Sequence, residues 1–230
     1  MKENNQQKVG AIIVAAGEGR RMGGVDKVLA PLSGKPVLAR VVDIFESCQS
    51  VDQVVVVVSQ QNIEPAKQLV AEQGWSKVTD ICAGGSRRQD SVVAGLDRLD
   101  HCDWVVIHDG ARPLVTGDLI ERGLEASRET GAAVAAVPIT DTVKVAGDDR
   151  LVRQTLPRHN LWAVQTPQVF RFDIIVDASR RVKAEVTDDA SLVEQAGYRV
   201  KLYMGSYDNI KITTPDDLAL AQVLWQERGK

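Results

Sequence analysis

The sequence has few aromatic residues, few cysteines and almost no net charge. Phenylalanine, tryptophan and tyrosine make up only 4% of the 230 residues, so the core has to be built from aliphatic side chains. The three cysteines, Cys48, Cys82 and Cys102, form no CxxC pair, so neither a zinc site nor a disulfide framework is indicated. We expect them to be buried thiols in a reducing compartment.

The balance of charge gives no general attraction to nucleic acid or to anionic lipid. The 28 basic residues stand against 31 acidic ones, a formal net charge of −3. Apolar runs are too short to cross a bilayer, and residues 1–8 lack the apolar core of a signal peptide. We therefore expect a cytoplasmic protein that binds neither nucleic acid nor membrane and holds any anionic ligand with a local cluster of cations.

The sequence is rich in apolar, valine-containing runs that alternate with stretches of helical period. The runs at residues 9–14, 54–58, 104–107 and 132–137 predict strands buried on both faces of a parallel sheet. Two further strands are predicted at residues 78–82 and 198–204. Helices are predicted at residues 36–48, 63–73, 91–99, 118–130, 172–183 and 215–227, and another opens at 187–189. This order predicts an α/β fold with a doubly wound, mostly parallel, Rossmann-like sheet in a single domain spanning residues 1–230.

The alternation changes at about residue 141. Residues 142–145 and 151–154 interleave polar and apolar side chains around a Gly-Asp-Asp turn at 147–149, which predicts an antiparallel hairpin. Such a hairpin is half exposed. We therefore expect a β-arm at about residues 141–160 that projects from the sheet and contacts a second subunit.

The first predicted strand leads into a glycine-rich loop, residues 15–22 (AAGEGRRM). Glycines let backbone N–H groups approach phosphate oxygens, and the loop lies where open α/β sheets bind ligands. It fails the dinucleotide fingerprint, because Met22 replaces the third glycine and Ser59 and Gln60 occupy the place of the ribose-binding acid. The Gly-Lys-Ser/Thr of a P-loop is also missing.

Cations beside this loop distinguish it from a cofactor cradle. Arg20 and Arg21 lie within it, and Lys27 follows a few residues later. A transferase that activates a triphosphate needs such charges in the transition state. An NAD(P)-binding oxidoreductase or a non-catalytic nucleotide sensor does not, and a strand-to-helix turn with solvated basic residues is the remaining alternative.

A carboxylate follows the predicted strand 104–107, in the segment 108–113 (HDGARP). Asp109 lies at the carboxyl end of that strand, where the ligand crevice of this architecture is found. Mg²⁺ prefers one or two carboxylates together with substrate phosphates, so Asp109 is a candidate metal ligand. The alternative is a turn former, since Asp-Gly is common in turns. We interpret His108 as a buried, hydrogen-bonded histidine rather than a base.

Three further segments are ambiguous on their own. Residues 84–91 (GGSRRQDS) predict either anion or base recognition at a helix N-terminus or an ordinary connection. Lys211, between two isoleucines, either points into a cleft or is an exposed strand residue. Residues 187–189 (Thr-Asp-Asp) are interpreted as an N-cap with acids placed favourably against the helix dipole.

These segments together resemble one nucleotidyltransferase family, the 2-C-methyl-D-erythritol 4-phosphate cytidylyltransferases of the non-mevalonate isoprenoid pathway. The matching positions are 15–22, Lys27, 84–85 with 90–92, 108–113, 141–142, Arg158 before 161–162, 166–168, 187–191 and 209–213. They run in the family's order along nearly the whole chain, which makes the set specific. The chain departs from the family at residues 26–28, where Asp-Lys-Val replaces a Pro-Lys-Gln that relatives often carry.

The resemblance implies that a homodimer transfers the cytidylyl group of CTP to methylerythritol phosphate and releases pyrophosphate. It implies that Arg21 and Lys27 stabilise the transition state and that Asp109 holds Mg²⁺. The implied CTP contacts are Ala15, Ala16, Gly17, Gly19, Gly84, Ser91 and Ala111. The implied acceptor residues are Lys211, Arg158 and Thr142, the last two reaching into the partner's site, with Arg112 contacting the acceptor or supporting the site.

The residue inventory agrees with this chemistry. A phosphate monoester has a second pKa of about 6, so it is already a dianion near neutral pH and needs no general base to attack. The difficulty lies in bringing two polyanions together, which cations and oriented N–H groups overcome. A cytidylyltransferase for another polyol phosphate, such as ribitol 5-phosphate, would share the CTP loops and is the nearest alternative.

Overall fold

The structure, a computed structural model, describes residues 7–17 and 27–228. The strands in these ranges are β1 (Val9–Ala15), β2 (Pro31–Leu32), β3 (Lys35–Pro36), β4 (Gln53–Val58), β5 (Val78–Ala83), β6 (Trp104–Asp109), β7 (Ala132–Pro138), β8 (Lys144–Ala146), β9 (Val152–Thr155), β10 (Trp162–Arg171) and β11 (Lys201–Met204). The helices are α1 (Val37–Ser47), α2 (Ile63–Gln73), α3 (Arg88–Leu96), α4 (Gly117–Ser127), α5 (Phe172–Arg181), α6 (Asp189–Gln195) and α7 (Pro215–Arg228).

Seven strands form one sheet in the order β11-β7-β10-β6-β1-β4-β5. The pairs β1–β4, β1–β6, β4–β5 and β7–β11 are parallel, whereas β10 runs antiparallel to both of its neighbours. The predicted doubly wound, mostly parallel sheet is therefore confirmed.

The core lies in two layers, one on each face of the sheet. Along β1, Ala11 and Ile13 face one cluster, which includes residues of α1, α2 and α4, and Ile12 faces the other, which includes residues of α3, α5 and α6. All six residues of β4 are buried because helices cover both faces. This is why apolar residues follow one another along β4 instead of alternating with polar ones.

The carboxyl ends of the parallel strands meet at one edge of the sheet. Ala15 at the end of β1 pairs with Val58 of β4, which pairs in turn with Ala83 of β5. On the other side of β1, Val14 pairs with Asp109 at the end of β6. The loops that follow these strands therefore share one crevice, where open α/β folds bind their ligands.

Strand β10 is the main element that the sequence pattern did not predict. It contains Pro167 between the polar residues Gln165 and Gln168, and proline within an apolar run normally argues against a central strand. The pairing with β7 shifts register between Val164 and Gln168, so the irregularity falls where proline cannot donate. Burial between β6 and β7 overrides the weak local signal.

Several element boundaries differ from the prediction, and the differences at the starts of α3 and β11 have local reasons. Helix α3 begins at Arg88 rather than at residue 91, because the Asp90 carboxylate accepts a hydrogen bond from the Arg87 N–H (3.2 Å) and so caps an earlier turn. Strand β11 begins at Lys201 rather than at residue 198, since Tyr198 is in the turn that ends α6, where its N–H bonds to the Val193 carbonyl.

The predicted hairpin is present as a separate two-stranded sheet of β8 and β9. Its apolar side chains have no cover within the described part of this chain: Leu151 is 60% and Val152 59% exposed. All of β8 and β9 is exposed, unlike the seven strands of the main sheet.

The cysteines are free thiols, as expected, but only Cys48 and Cys82 are buried. Cys102 is half-buried beside Gln53, and burial raises the pKa of its thiol to about 11. Across residues 7–17 and 27–228, none of the helices combines the length and the apolar character needed to cross a membrane.

A buried hydrogen-bond relay joins β6 to β10. The Asp109 N–H donates to the Thr166 hydroxyl (3.0 Å), which in turn lies 3.0 Å from Nδ1 of His108. The hydroxyl therefore donates to Nδ1, and Nε2 donates to the Arg112 carbonyl (3.1 Å). Burial lowers the pKa of His108 to about 4, so the ring is neutral. Its role is to hold the turn at residues 109–112, in agreement with the sequence interpretation.

We expect His108 to make folding stability depend on pH. The unfolded ring protonates near pH 6.5 and the folded ring only near pH 4, so stability falls as pH drops through this window. The loss between pH 7 and pH 5 amounts to about 2 kcal/mol. Urea unfolding should show a smaller pH dependence for His108→Gln, and an unchanged one for His159→Gln on the exposed arm. Equal pH dependence in all three proteins would contradict this role.

Candidate active site

Two cavities open at the carboxyl edge of the sheet. The loop cavity, of about 700 Å³, lies between the segments that follow β1, β5 and β6. The β10 cavity, of about 470 Å³, lies between β6, β10 and the start of α6. Both are at the edge where the strand ends converge, as the sequence predicts for a ligand site.

A third cleft, of about 800 Å³, has the wrong charge for an anionic ligand. It lies at the opposite edge of the sheet, and its wall includes Asp52, Glu121 and Glu125 together with Arg128. Three carboxylates against one guanidinium repel phosphate. We therefore place the site at the carboxyl edge.

The loop cavity brings together most of the predicted nucleotide-binding residues. Its wall includes Ala15, Ala16, Gly17, Lys27, Gly84, Ser91, Asp109, Ala111 and Lys211. Two other predicted residues, Gly19 and Arg21, lie outside the described residues.

Small side chains let the walls of the loop cavity approach each other. A Cβ on Gly84 would collide with Cβ of Ala16 and lie 2.5 Å from Oγ of Ser91. A Cβ on Gly17 would stand 3.7 Å from Nζ of Lys27, so the lysine reaches back over the start of the loop. The loops after β1 and β5 therefore pack closely together, and Lys27 lines the same cavity.

The β10 cavity is polar and well ordered by hydrogen bonds. Its wall includes Arg112, Gln165, Thr166, Gln168 and Thr187. Gln168 joins β10 to α6, because its amide donates to the Asp188 carboxylate (2.8 Å) and its carbonyl oxygen accepts from the Ala190 N–H (3.0 Å). The sequence interpretation of residues 187–189 holds for Asp188, which caps α6 by accepting from the Ser191 N–H (3.0 Å).

Three charged side chains line both cavities: Arg88, Asp109 and Lys211. They form the wall across which ligands in the two cavities would face each other. Asp109 and Lys211 were predicted as site residues, whereas Arg88 was not.

Asp109 is the centre of this wall. Its carboxylate lies 2.8 Å from Nζ of Lys211, 3.4 Å from Nε of Arg88 and 3.4 Å from Nε of Arg112. Burial alone would raise the pKa of Asp109, but the charges of Lys211, Arg88 and Arg112 hold it well below its usual range. The carboxylate is therefore ionised at any physiological pH and gathers three cations around one point.

Lys211 points into the cleft, which decides between the two interpretations of its motif. The next residue, Ile212, is fully buried, and its N–H donates to the Ala111 carbonyl (2.8 Å). This anchor turns Lys211 toward Asp109. The Lys211 side chain is 37% exposed and lines both cavities, so it is accessible to a ligand.

Arg112 holds the segment that carries Lys211 in place. Its guanidinium donates to the Asn209 carbonyl (2.8 Å) as well as contacting Asp109. Asn209 is itself fully buried and donates to the Thr166 carbonyl (2.8 Å). Arg112 thus ties the turn after β6 to the segment that carries Lys211, and it also lines the β10 cavity.

Sequence reasoning missed the partnership of Arg88 with Asp189. The guanidinium lies 2.5 Å from the Asp189 carboxylate, which is 2% exposed, while reaching Asp109 on its other side. The sequence placed the start of α3 at residue 91. Only the observed start of this helix puts Arg88 in the first turn, where a cation is unfavourable against the helix dipole unless acidic side chains lie nearby.

The donor set fits a magnesium ion that arrives with a triphosphate. Asp109 is a single ionised carboxylate on the wall between the cavities, and Mg²⁺ prefers such a ligand together with substrate phosphates. No group of three metal-ligating side chains occurs among residues 7–17 and 27–228, so a metal cage built of protein ligands alone is not indicated there.

Thr142 and Arg158 lie away from the cavities of their own chain. Both are exposed on or beside the β8–β9 arm, and Arg158 donates to the Thr140 carbonyl (2.6 Å). Neither belongs to the walls of the two cavities as the described residues form them. The fold of one chain therefore does not bring them to the site.

Comparison with known proteins gives a consistent result. The family model of 2-C-methyl-D-erythritol 4-phosphate cytidylyltransferase (IspD) matches residues 9–227. A protein of that name from Dehalococcoides mccartyi is 56% identical over 218 residues, which cover 95% of this chain and 96% of the relative.

Solved structures agree with this match. A 4-diphosphocytidyl-2C-methyl-D-erythritol synthase from Anaerococcus prevotii superposes with a TM-score of 0.85 at 30% identity, covering 96% of this chain and 97% of that one. The cytidylyltransferase from Thermus thermophilus gives 0.78 at 31% identity, covering 96% of this chain and 100% of that one. Since the family model and the relatives span nearly the whole chain, this protein belongs to the 2-C-methyl-D-erythritol 4-phosphate cytidylyltransferase family.

Proposed function

We propose that the two adjoining cavities catalyse transfer of the cytidylyl group of CTP to 2-C-methyl-D-erythritol 4-phosphate. The products are 4-diphosphocytidyl-2-C-methyl-D-erythritol and pyrophosphate. Membership of the family supports this activity, and one observation carries its assignment to the site. The loop cavity and the β10 cavity share a charged wall of Arg88, Asp109 and Lys211, where two phosphate groups would meet.

The loop cavity is the proposed CTP site. Ala15, Ala16, Gly17, Gly19, Gly84, Ser91 and Ala111 would contact the nucleotide. The close packing of Gly84 against Ala16 and Ser91 supports this, because it brings the loops after β1 and β5 together around one cavity. Arg21 and Lys27 would stabilise the charge that develops on the α-phosphate.

The β10 cavity is the proposed acceptor site. A phosphate oxygen of the acceptor attacks the α-phosphorus of CTP, a new P–O bond forms, and the bond to the pyrophosphate leaving group breaks. The nucleophile is a dianion above its second pKa of about 6, so no proton has to be removed. Lys211, Arg158 and Thr142 would position the acceptor, and Arg112 would hold Asp109 and the Lys211 segment in place.

Asp109 would hold a magnesium ion that accompanies the triphosphate. When bound, the ion supplies positive charge to the phosphate oxygens and to the departing pyrophosphate. The ionised state of Asp109 supports this role. Lys211, which contacts Asp109 in this structure, would donate to a phosphate oxygen of the bound ligand.

The active form would be a homodimer in which each β-arm completes the partner's acceptor site. Arg158 and Thr142 are exposed and line neither cavity of their own chain. The apolar residues Val145, Leu151 and Val152 on the arm are exposed too. A second subunit would cover these side chains.

The free thiols Cys48, Cys82 and Cys102 support a cytoplasmic location, where thiols stay reduced.

The turnover assay tests the proposed function directly. We expect pyrophosphate release from CTP, Mg²⁺ and methylerythritol phosphate, and no comparable rate with ribitol 5-phosphate, which distinguishes the nearest alternative. Identification of the cytidylylated product by mass spectrometry completes the test. A higher kcat/KM for ribitol 5-phosphate would overturn the assignment of the acceptor.

Removal of either proposed transition-state cation should lower turnover without unfolding the protein. We expect Arg21→Ala and Lys27→Ala each to reduce kcat about 100- to 1,000-fold, the usual cost of losing one charge-stabilising contact. The matched control is Lys67→Ala, which removes an exposed lysine paired with Glu64 on α2. Near-wild-type turnover of either site variant would remove that residue from the mechanism.

Complementation tests the contribution of the arm. Arg158→Ala and Lys211→Ala homodimers should both be nearly inactive. In a mixed dimer, one site receives Lys211 from one chain and Arg158 from the other. Random remixing should therefore restore about a quarter of wild-type turnover, because half of the dimers are mixed and each has one intact site. No recovery in demonstrably mixed dimers would place Arg158 in its own chain's site or outside the mechanism.

A further inference from the structure

Of the two cations in the shared wall, Arg88 is the one that lies between two carboxylates. One terminal nitrogen of the guanidinium lies 2.5 Å from Asp189, and its Nε lies 3.4 Å from Asp109. Lys211, by contrast, ends in a single ammonium group, its side chain is 37% exposed, and within residues 7–17 and 27–228 its ion pair is with Asp109. The planar, multi-donor guanidinium can join two carboxylates at once, which a lysine does less well.

Asp189 is placed to act on Arg88 and not on a ligand. It is 2% exposed and lies in the first turn of α6. It is not part of the wall of the loop cavity or of the β10 cavity. Its ion pair with Arg88 is therefore its direct connection to the wall between the cavities.

The energetics favour a geometric role for this pair. A buried ion pair loses hydration that its mutual attraction only partly restores, so such a pair contributes little net stability compared with apolar residues. What the pair does provide is orientation. It ties α3, at the floor of the loop cavity, to α6, beside the β10 cavity, although the two residues are 101 positions apart.

We propose that Arg88 contacts the reacting phosphates as a fixed cation and that Asp189 is a positioning residue acting through Arg88. This inference rests on the proposed function. Burial alone would lower the pKa of Arg88, but the charges of Asp189 and Asp109 raise it, so the cation persists between its two partners. An approaching phosphate then meets a positive charge that needs no reorganisation, the condition under which electrostatic stabilisation is most effective.

A double-mutant cycle distinguishes positioning from simple stabilisation. The variants are Arg88→Met, the isosteric Asp189→Asn and the double variant, with kcat expressed per folded molecule as judged by circular dichroism. We expect Arg88→Met to lower kcat about 100-fold and Asp189→Asn at least about 10-fold. The double variant should be no slower than Arg88→Met, because Asp189 has no route to the reaction once Arg88 is gone.

The control is a surface pair of the same chemistry just beyond α3. Arg98 lies 2.7 Å from Asp80, and both side chains are largely exposed, so Arg98→Met and Asp80→Asn should leave kcat unchanged. Wild-type kcat per folded molecule in Asp189→Asn, or losses that multiply in the double variant, would overturn the inference. Wild-type turnover is measured first, and its absence would overturn the proposed function and this inference together.

Discussion

The site depends on one carboxylate that gathers three cations. Asp109 ends a buried strand, and Lys211, Arg88 and Arg112 converge on it from separate parts of the chain. Like charges at this spacing repel strongly where water is scarce, so they stay together only because the carboxylate lies between them. Asp109 thus stabilises a cationic centre in the absence of ligand, and a phosphate can later take over its role.

These residues come together because the carboxyl ends of the parallel strands lie side by side at one edge of the sheet. Asp109 is in register with Val14, so the turn after β6 lies beside the loop that follows β1. The His108–Thr166 relay then fixes the turn against β10, the one antiparallel strand of the sheet. The antiparallel insertion brings Gln165 and Thr166 to the edge where all other strands end, and this adds the second cavity.

The sequence predicted the parts of the protein whose signals are local. The valine-containing runs predicted β1, β4 and β6. The glycine-rich loop after β1 and Asp109 at the end of β6 predicted part of the wall of the loop cavity. Strand β10 was missed because Gln165, Pro167 and Gln168 interrupt any alternating or apolar strand pattern. It forms a strand because it pairs with β6 on one side and β7 on the other. The Arg88–Asp189 pair was missed for a related reason, since periodicity says nothing about contacts across 101 positions.

Charge balance limits how much positive charge the wall between the cavities offers to the proposed ligands. In the wall between the cavities, Arg88 and Lys211 carry two positive charges and Asp109 carries one negative charge, a net charge of about +1. A triphosphate and a phosphate dianion together bring several negative charges. A more cationic wall would repel itself in the empty protein, so further positive charge has to approach with the ligands. The loop with Arg21 and Lys27, the exposed Arg158 and a metal ion carried by the nucleotide are the sources that the proposed mechanism provides.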